Sequence, residues 1–453
     1  MLGASAVKKS AEATHRRDAD NAEDARRIET LNHDSFQMKV LLLNQCFYPD
    51  VAATGQYLTD LAQWLTERGH SVTVLTSDRG YDDPSVRFAR RETWRGINII
   101  RIPSLSPGKK ARWRRAVNFA SFLMVLSARL LLLPRFDAVV ALTSPPLISF
   151  LGALFVQLKG GKLFFWVMDL NPDEAFVAGW LDESTLVARL LTFCLQHSLR
   201  VAESIIVLDR FMKQRIVDKT VPDDKLAVVR PWPLSTAVHY DQQARQAFRE
   251  RYELSEKFVV MYAGNHSPCH PLDTLLAAAL SLSDHEDIVF CFVGGGSEQI
   301  KVREFAERQD LKNVLCLPYQ TLAELSGSLS AADLHAVVMG ERFAGIVHPC
   351  KIYNILAVGA PFLYIGPEQS HITDIAQEIG GSTTAYLAEH GDVEAVRKHV
   401  LEAASHRATF SGERTIALPE DFSRQSLLPN MMNVLESSAT SKSLGNPAVL
   451  PSI

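Results

Sequence analysis

The residues of this chain best suited to chemistry gather in Glu341–Gly366, ERFAGIVHPCKIYNILAVGAPFLYIG. Gly345 opens a small-residue loop, Pro349 ends an extended segment, and Lys351–Val358 predicts a short helix closed by Gly359. The first backbone N–H groups of a helix are unpaired and carry the positive end of its dipole. A phosphate is their natural ligand, and Lys351 adds a full charge beside them. The same pattern fits an ordinary loop–helix–strand unit with a solvated lysine. Three further loops carry polar or glycine-rich residues: Pro49–Gly55, Asp169–Glu174 and Gly264–Pro271.

Within these loops each candidate has a chemical and a plain reading. Asp169 follows a strand-like run and precedes Asn171-Pro172, so it suits a reacting-site carboxylate or an Asx turn. Glu174 is the second carboxylate of that loop. His266 suits a ligand contact or a satisfied loop histidine. His266, Cys269 and His270 read H-x-x-C-H, but no second cluster at metal-ligand spacing accompanies them, and no metal is expected. Gly294-Gly295-Gly296 ends a strand without the full dinucleotide fingerprint. Glu341 suits the hydroxyl groups of a ligand or solvent, His348 a ligand contact or a plain loop position. Gly55 suits close approach of a ligand or a turn.

The elements that must position these loops alternate regularly. Met38–Asn44 and Ser71–Ser77 are continuous apolar runs of the kind found in buried parallel strands, and the helix Gln56–Arg68 lies between them. Further strands are expected at Ile97–Ile102, Ala138–Leu142, Lys162–Met168 and Ser204–Leu208. RPWPL at Arg230–Leu234 breaks the pattern. A second alternation follows, with strands at Lys257–Gly264, Asp287–Val293, Asn313–Leu317, Leu334–Met339 and Pro361–Ile365, and helices at Leu272–Leu282 and Glu298–Gln309. The fold class is therefore α/β, with two Rossmann-like domains facing across a cleft. The divisions are 1–37, a polar tail; 38–230, the first domain; 231–256, a hinge; 257–420, the second domain; 421–437, a closing helix; and 438–453, a second tail. Ligands of open parallel sheets bind beyond the carboxyl ends of the strands, which is where the four loops fall.

Composition narrows the classes. A net charge of −4 over 453 residues gives no global attraction to nucleic acid, and none is expected as a partner. The six cysteines, Cys46, Cys194, Cys269, Cys291, Cys316 and Cys350, are irregularly spaced and predict reduced thiols. The first 36 residues lack the apolar core of a signal peptide. Lys109, Lys110, Arg112, Trp113, Arg114 and Arg115 precede the apolar stretch Val117–Leu133. That pairing suits a solvated helix end or a monotopic membrane contact. The charge-free run Ala138–Leu158 holds Pro145-Pro146, which predicts strand, turn and buried helix rather than a membrane span.

Four segments, in order, resemble family 4 of the GT-B glycosyltransferases, the retaining sugar transferases of bacterial surface-polysaccharide synthesis. They are NQCFYPDVAATGQYLTDLAQWLTERGHSVTVLTS, FFWVMDLNPDEA, YAGNHSPCHPLDTLLAAA and GIVHPCKIYNILAVGAPFLYIGP, spanning roughly Met38–Gly380. The resemblance implies sugar transfer from a nucleotide diphosphate sugar to a lipid-linked or saccharide acceptor, with retention and with no cofactor or metal. It implies a cytoplasmic enzyme held peripherally on the inner membrane face. Asp169 and Lys351 would be catalytic. Gly264, Asn265, His266, Gly294, Gly295, Glu341, Gly345 and Asn354 would bind the donor, and Gly55 and Glu174 would face the acceptor. The sequence departs from the family in two places. Histidines occupy the donor loop where an arginine and a lysine are usual, and Asn354 stands where many members carry a ribose-binding glutamate. A non-catalytic sugar-nucleotide or lipid-binding relative, or a GT-B sugar-nucleotide epimerase, is the alternative.

Overall fold

The computed structural model describes residues 37–50, 52–80, 83–103, 112–233, 238–380, 385–406 and 420–440, with 112–116 and 437–440 described by backbone alone. Lys109, Lys110, nearly all of both tails and part of the hinge lie outside these residues. So do the side chains of Arg112, Trp113, Arg114 and Arg115.

Eight strands form the first sheet: β1 Lys39–Leu43, β2 Ser71–Ser77, β3 Arg91–Trp94, β4 Ile97–Ile102, β5 Ala138–Ala141, β6 Lys162–Trp166, β7 Ser204–Val207 and β8 Leu226–Val228. Their order is β3-β4-β2-β1-β5-β6-β7-β8, parallel except for the β3–β4 edge. Six strands form the second: β9 Phe258–Asn265, β10 Ile288–Gly295, β11 Val314–Leu317, β12 Leu334–Val338, β13 Phe362–Ile365 and β14 Ala385–Ala388. Their order, β11-β10-β9-β12-β13-β14, is parallel throughout. The strands read as unbroken apolar runs because helices cover both faces; Leu41, Val139, Val260 and Ala336 are all buried. The order in which strands are added reverses between β1 and β5 in one sheet and between β9 and β12 in the other, which opens a crevice at each switch point.

The strands expected from apolar runs form within one or two residues of the expected bounds. The first helix starts earlier than its pattern suggests, at Ala53. Three strands lie outside the expected set: β3, β8 and β14 are short edge strands of three or four residues, partly exposed. The hinge segment contains the helix Gln242–Arg251. Arg245 and Arg249 tie this helix to Asp333 at 2.6 and 3.0 Å, at the foot of β12. Trp232 of the Pro-rich break is buried in the first unit, where Nε1 donates to Asp60 at 2.8 Å.

The final helix, Arg424–Thr440, returns to the first unit and pairs Arg424 with Asp60 at 3.5 Å. The run Ala138–Leu158 is strand β5, a turn and the helix Ile148–Lys159, as its prolines predict. Among the described residues no helix is long and apolar enough to cross a membrane. All six cysteines are free thiols.

Candidate active site

The carboxyl ends of β6, β9, β10 and β12 point into the gap between the two units, and the candidate loops leave from these ends. Asp169 sits three residues past β6, and the short helix Asp173–Val177 follows it. The loop is braced from both units. Leu170 N–H donates to the Ile346 carbonyl at 2.8 Å, and the Cys269 thiol donates to Glu174 Oε1 at 3.6 Å. Asn171 Nδ2 donates to the other oxygen of Glu174 at 3.3 Å. Burial and the charge of Glu174 push the Asp169 carboxyl up to about 8. Burial also raises Glu174. Two acids in one desolvated loop resist joint ionisation, so the loop holds a proton near neutral pH.

Lys351 lies opposite, as the first residue of the helix Lys351–Ala357. Its Nζ stands 3.4 Å over the Tyr262 ring and is buried with no hydrogen-bond partner among the described residues. Cation–π attraction offsets part of the desolvation cost, but a buried ammonium without an anion is unfavourable. Burial accordingly lowers its pKa to about 7. A Cβ at Gly264 would lie 3.4 Å from this Nζ, so the end of β9 runs directly beside the lysine. The site has the chemistry of an anion seat.

The neighbouring histidines are neutral. His266 Nδ1 meets the Gly264 carbonyl at 3.0 Å, while Nε2 is buried without a partner. Burial first, then Lys351, lowers His266 to about 4 and His270 to about 3. Neither imidazole adds fixed charge at neutral pH. They offer hydrogen bonds instead.

The other expected residues divide into two groups. Asn265 and Gly295 pair in register across β9 and β10, next to the Gly264–Gly294 pair. Gly294 has φ 135°, and a Cβ there would stand 2.0 Å from the Gly264 carbonyl oxygen. Only glycine lets these strand ends close up. Asn354 lies one turn beyond Lys351 and is half-buried. Glu341 is exposed on the short turn Glu341–Phe343. Gly345 and Gly55 meet the chain itself: Cβ atoms there would fall 2.6 Å from the Phe211 carbonyl and 3.1 Å from the Cys46 backbone. Gly345 therefore joins the two units.

Sequence reasoning missed Tyr262, the floor beneath Lys351, and Asp209. Asp209 caps the helix Arg210–Val217 through Met212 N–H and reaches His348 of the other unit. His348, for which the sequence admits a plain loop position or a donor contact, is buried against Asp209 with His371 stacked on it. The donor atoms of Asp209, His348 and His371 lie within 4.8 Å of one another. The two rings, however, stack at 3.6 Å with 18° between planes, so their nitrogen lone pairs lie in separate, nearly parallel planes and are poorly aimed at one ion.

Residues 53–232 match the glycosyl transferase 4-like domain family. The chain carries a glycosyl transferase 4-like domain across its first unit and has the GT-B fold. The putative colanic acid biosynthesis glycosyl transferase WcaI of Escherichia coli K12 is 24% identical over 380 residues, covering 81% of this glycosyltransferase and 92% of WcaI. Sucrose-phosphate synthase of Thermosynechococcus elongatus superposes with a TM-score of 0.68 at 15% identity, over 89% of this chain and 100% of that one. HepE of Anabaena, solved in complex with UDP and glucose, gives 0.66 at 15% identity, over 88% and 100%. These likenesses carry the fold.

Proposed function

We propose that this glycosyltransferase moves a sugar, with retention, from a nucleotide diphosphate sugar to a lipid-linked or saccharide acceptor in surface-polysaccharide synthesis. The observation that carries the reading is the buried, unpartnered Lys351 Nζ beside the glycine-rich ends of β9 and β10. A diphosphate placed there meets one full charge and the backbone of Gly264 and Asn265. Negative charge grows on the diphosphate as the glycosidic bond breaks, and a preformed cation in a dry site stabilises it. Lys351 supplies that cation, so no metal is needed. Asn354 would hydrogen-bond the nucleotide ribose as a neutral partner, and Glu341 the sugar hydroxyls.

On the facing wall, Asp169 and Glu174 would meet the acceptor hydroxyl. A carboxyl group with a pKa near 8 can take or return a proton at neutral pH. Gly55, packed on Cys46, would lie on the acceptor side. HepE was solved with UDP and glucose, and WcaI is named for colanic acid synthesis; both support a nucleotide-sugar donor and a polysaccharide product here. Work on a lipid-linked acceptor would hold the protein on the cytoplasmic face of the membrane, in peripheral contact through the basic segment 109–115.

The test is a nucleotide-sugar panel assayed against polyprenyl-diphosphate acceptors, with wild type beside Lys351→Ala and with and without EDTA. The expected result is transfer from one donor, unaffected by EDTA and lost in the variant. No transfer from any donor would overturn the reading, and nucleotide release without an acceptor would move it to the epimerase alternative.

A further inference from the structure

The two acids of the carboxylate loop share their burial but not their hydrogen bonds. Glu174 accepts on both oxygens, from Asn171 Nδ2 at 3.3 Å and from the Cys269 thiol at 3.6 Å. Among the described residues no donor meets the Asp169 carboxylate; the bonds of Asp169 run through its backbone, to Thr143 Oγ1 at 3.4 Å and from Asn171 N–H at 3.1 Å. Donors favour the ionised form of a carboxyl group, and a buried acid without them favours the neutral one.

Asn171 belongs to the same loop as Glu174, whereas Cys269 comes from the other unit. It lies in the segment Gly264–Pro271, which runs beside Lys351. Its side chain is 2% exposed and packs in the hydrophobic core that continues from the first unit into the second. Two bonds fix its backbone: the N–H donates to Ser267 Oγ at 3.1 Å, and the carbonyl accepts from Gly340 N–H at 2.9 Å. Burial, above all, pushes the thiol up to about 12, so the sulfur keeps its hydrogen and towards a carboxylate can only donate. The other titratable groups at the loop are settled. Asp173 is paired with Lys219 at 2.6 Å, and the Cys350 thiol near Asp169 is likewise held up to about 12 by burial.

We propose that Cys269 is a positioning residue: its thiol keeps Glu174 ionised and so leaves the proton of the pair on Asp169. The acid that faces the acceptor is thereby prepared by the loop that faces the donor, across the boundary between the units. The kinetic consequence rests on the acid–base role proposed for Asp169 above; the place of the proton does not. Serine at this position can donate as the thiol does. Alanine and valine cannot.

The experiment is infrared spectroscopy of the full chain at neutral pH, with and without isotope-labelled glutamate, which separates protonated glutamate from protonated aspartate. Wild type should show a protonated-carboxyl band that the label does not shift and that Asp169→Asn removes. In Cys269→Ala a label-sensitive part should appear, because Glu174 then competes for the proton. Cys269→Val, which fills the space without a donor, should do the same, and Cys269→Ser should match wild type. The proton balance between the two acids should change about fivefold, the weight of one ordinary hydrogen bond. Turnover should fall in step with the aspartate band at unchanged donor KM, and recover in Cys269→Ser. Circular dichroism and melting temperature would establish that each variant is folded. Three results would each overturn the proposal: a wild-type band that shifts with the label, no band removed by Asp169→Asn, or folded alanine and valine variants with wild-type spectra. The expected spectra without sugar transfer from any donor would sink the enzymatic reading and leave this one standing; transfer with the proton elsewhere would do the reverse.

Discussion

His348 Nδ1 stands 2.6 Å from Asp209 Oδ2, and this contact joins the two units of the glycosyltransferase. The ionised Asp209 can only accept, so His348 Nδ1 carries the hydrogen given to it, while Nε2 meets Tyr353 OH at 2.9 Å. His371 stacks on His348, with its own Nδ1 3.7 Å from the same carboxylate oxygen. Salt bridges flank the contact, Arg210–Asp374 at 2.7 Å and the bidentate pair of Arg230 and Glu378.

This latch predicts acid sensitivity. Burial, then His348, holds the His371 pKa well below its ordinary value near 6.5. The folded state keeps His371 neutral, whereas the unfolded chain protonates it below about pH 6.5. Stability is therefore unaffected above that pH and falls as pH drops towards the folded-state pKa. His266 and His270 add losses of the same sign. Melting temperatures at pH 7.5 and 5.5 should converge in His371→Gln relative to wild type; an identical pH loss in both would remove His371 from the latch.

Lys351 predicts a trade between stability and function. Replacing it with Met removes a buried charge that has no partner, so the unliganded protein should melt at a higher temperature. Donor binding should weaken by about 1.5–3 kcal/mol, the scale of a lost charge-assisted hydrogen bond. Calorimetry and thermal melting on one sample would read both. A lower melting temperature would mean that the ammonium is satisfied in the free protein.

The same residue gives donor affinity a pH dependence of fixed sign. With a pKa of about 7 in the free protein, Lys351 is charged below neutrality and loses its proton above it. An anionic donor needs the charged form, so affinity should be constant at acid pH and fall above pH 7, approaching tenfold per unit. Titrations between pH 6.5 and 8.5 would show the fall, and Lys351→Met should be flat. Affinity that rises with pH would contradict the anion seat.

Asp169→Asn should lower turnover by about a hundredfold or more while leaving donor affinity near wild type, because it removes proton transfer and not a donor contact. Glu174→Gln removes the negative neighbour that raises Asp169, so the Asp169 pKa should fall and the matching limb of the pH–rate profile should move to lower pH. A stationary limb would mean that another group titrates.

Gly345 has φ 71°, and a Cβ there would press on the Phe211 carbonyl at 2.6 Å. Gly345→Ala should cost about 1–3 kcal/mol through backbone strain and a wedge between the units. Urea unfolding would measure it, and a change within error would show that this loop yields easily.

Much of this protein is decided by its sequence alone. Continuous apolar runs such as SVTVLTS and FFWVM demand burial on both faces, and the helices between them demand parallel pairing, so two doubly wound sheets follow. The crevice at the strand ends follows too, with Lys351 and Asp169 in its loops. The short edges β3, β8 and β14 were not legible because each is set by a neighbouring strand and not by its own residues. Tertiary structure alone decided that Gly345 serves the contact between units, that Tyr262 lies beneath Lys351, and that Asp209 meets His348, 139 residues away. It also set the charge states. A lysine with a pKa near 7 and an aspartate near 8 arise from desolvation, which depends on every element packed around a group and on no residue read singly.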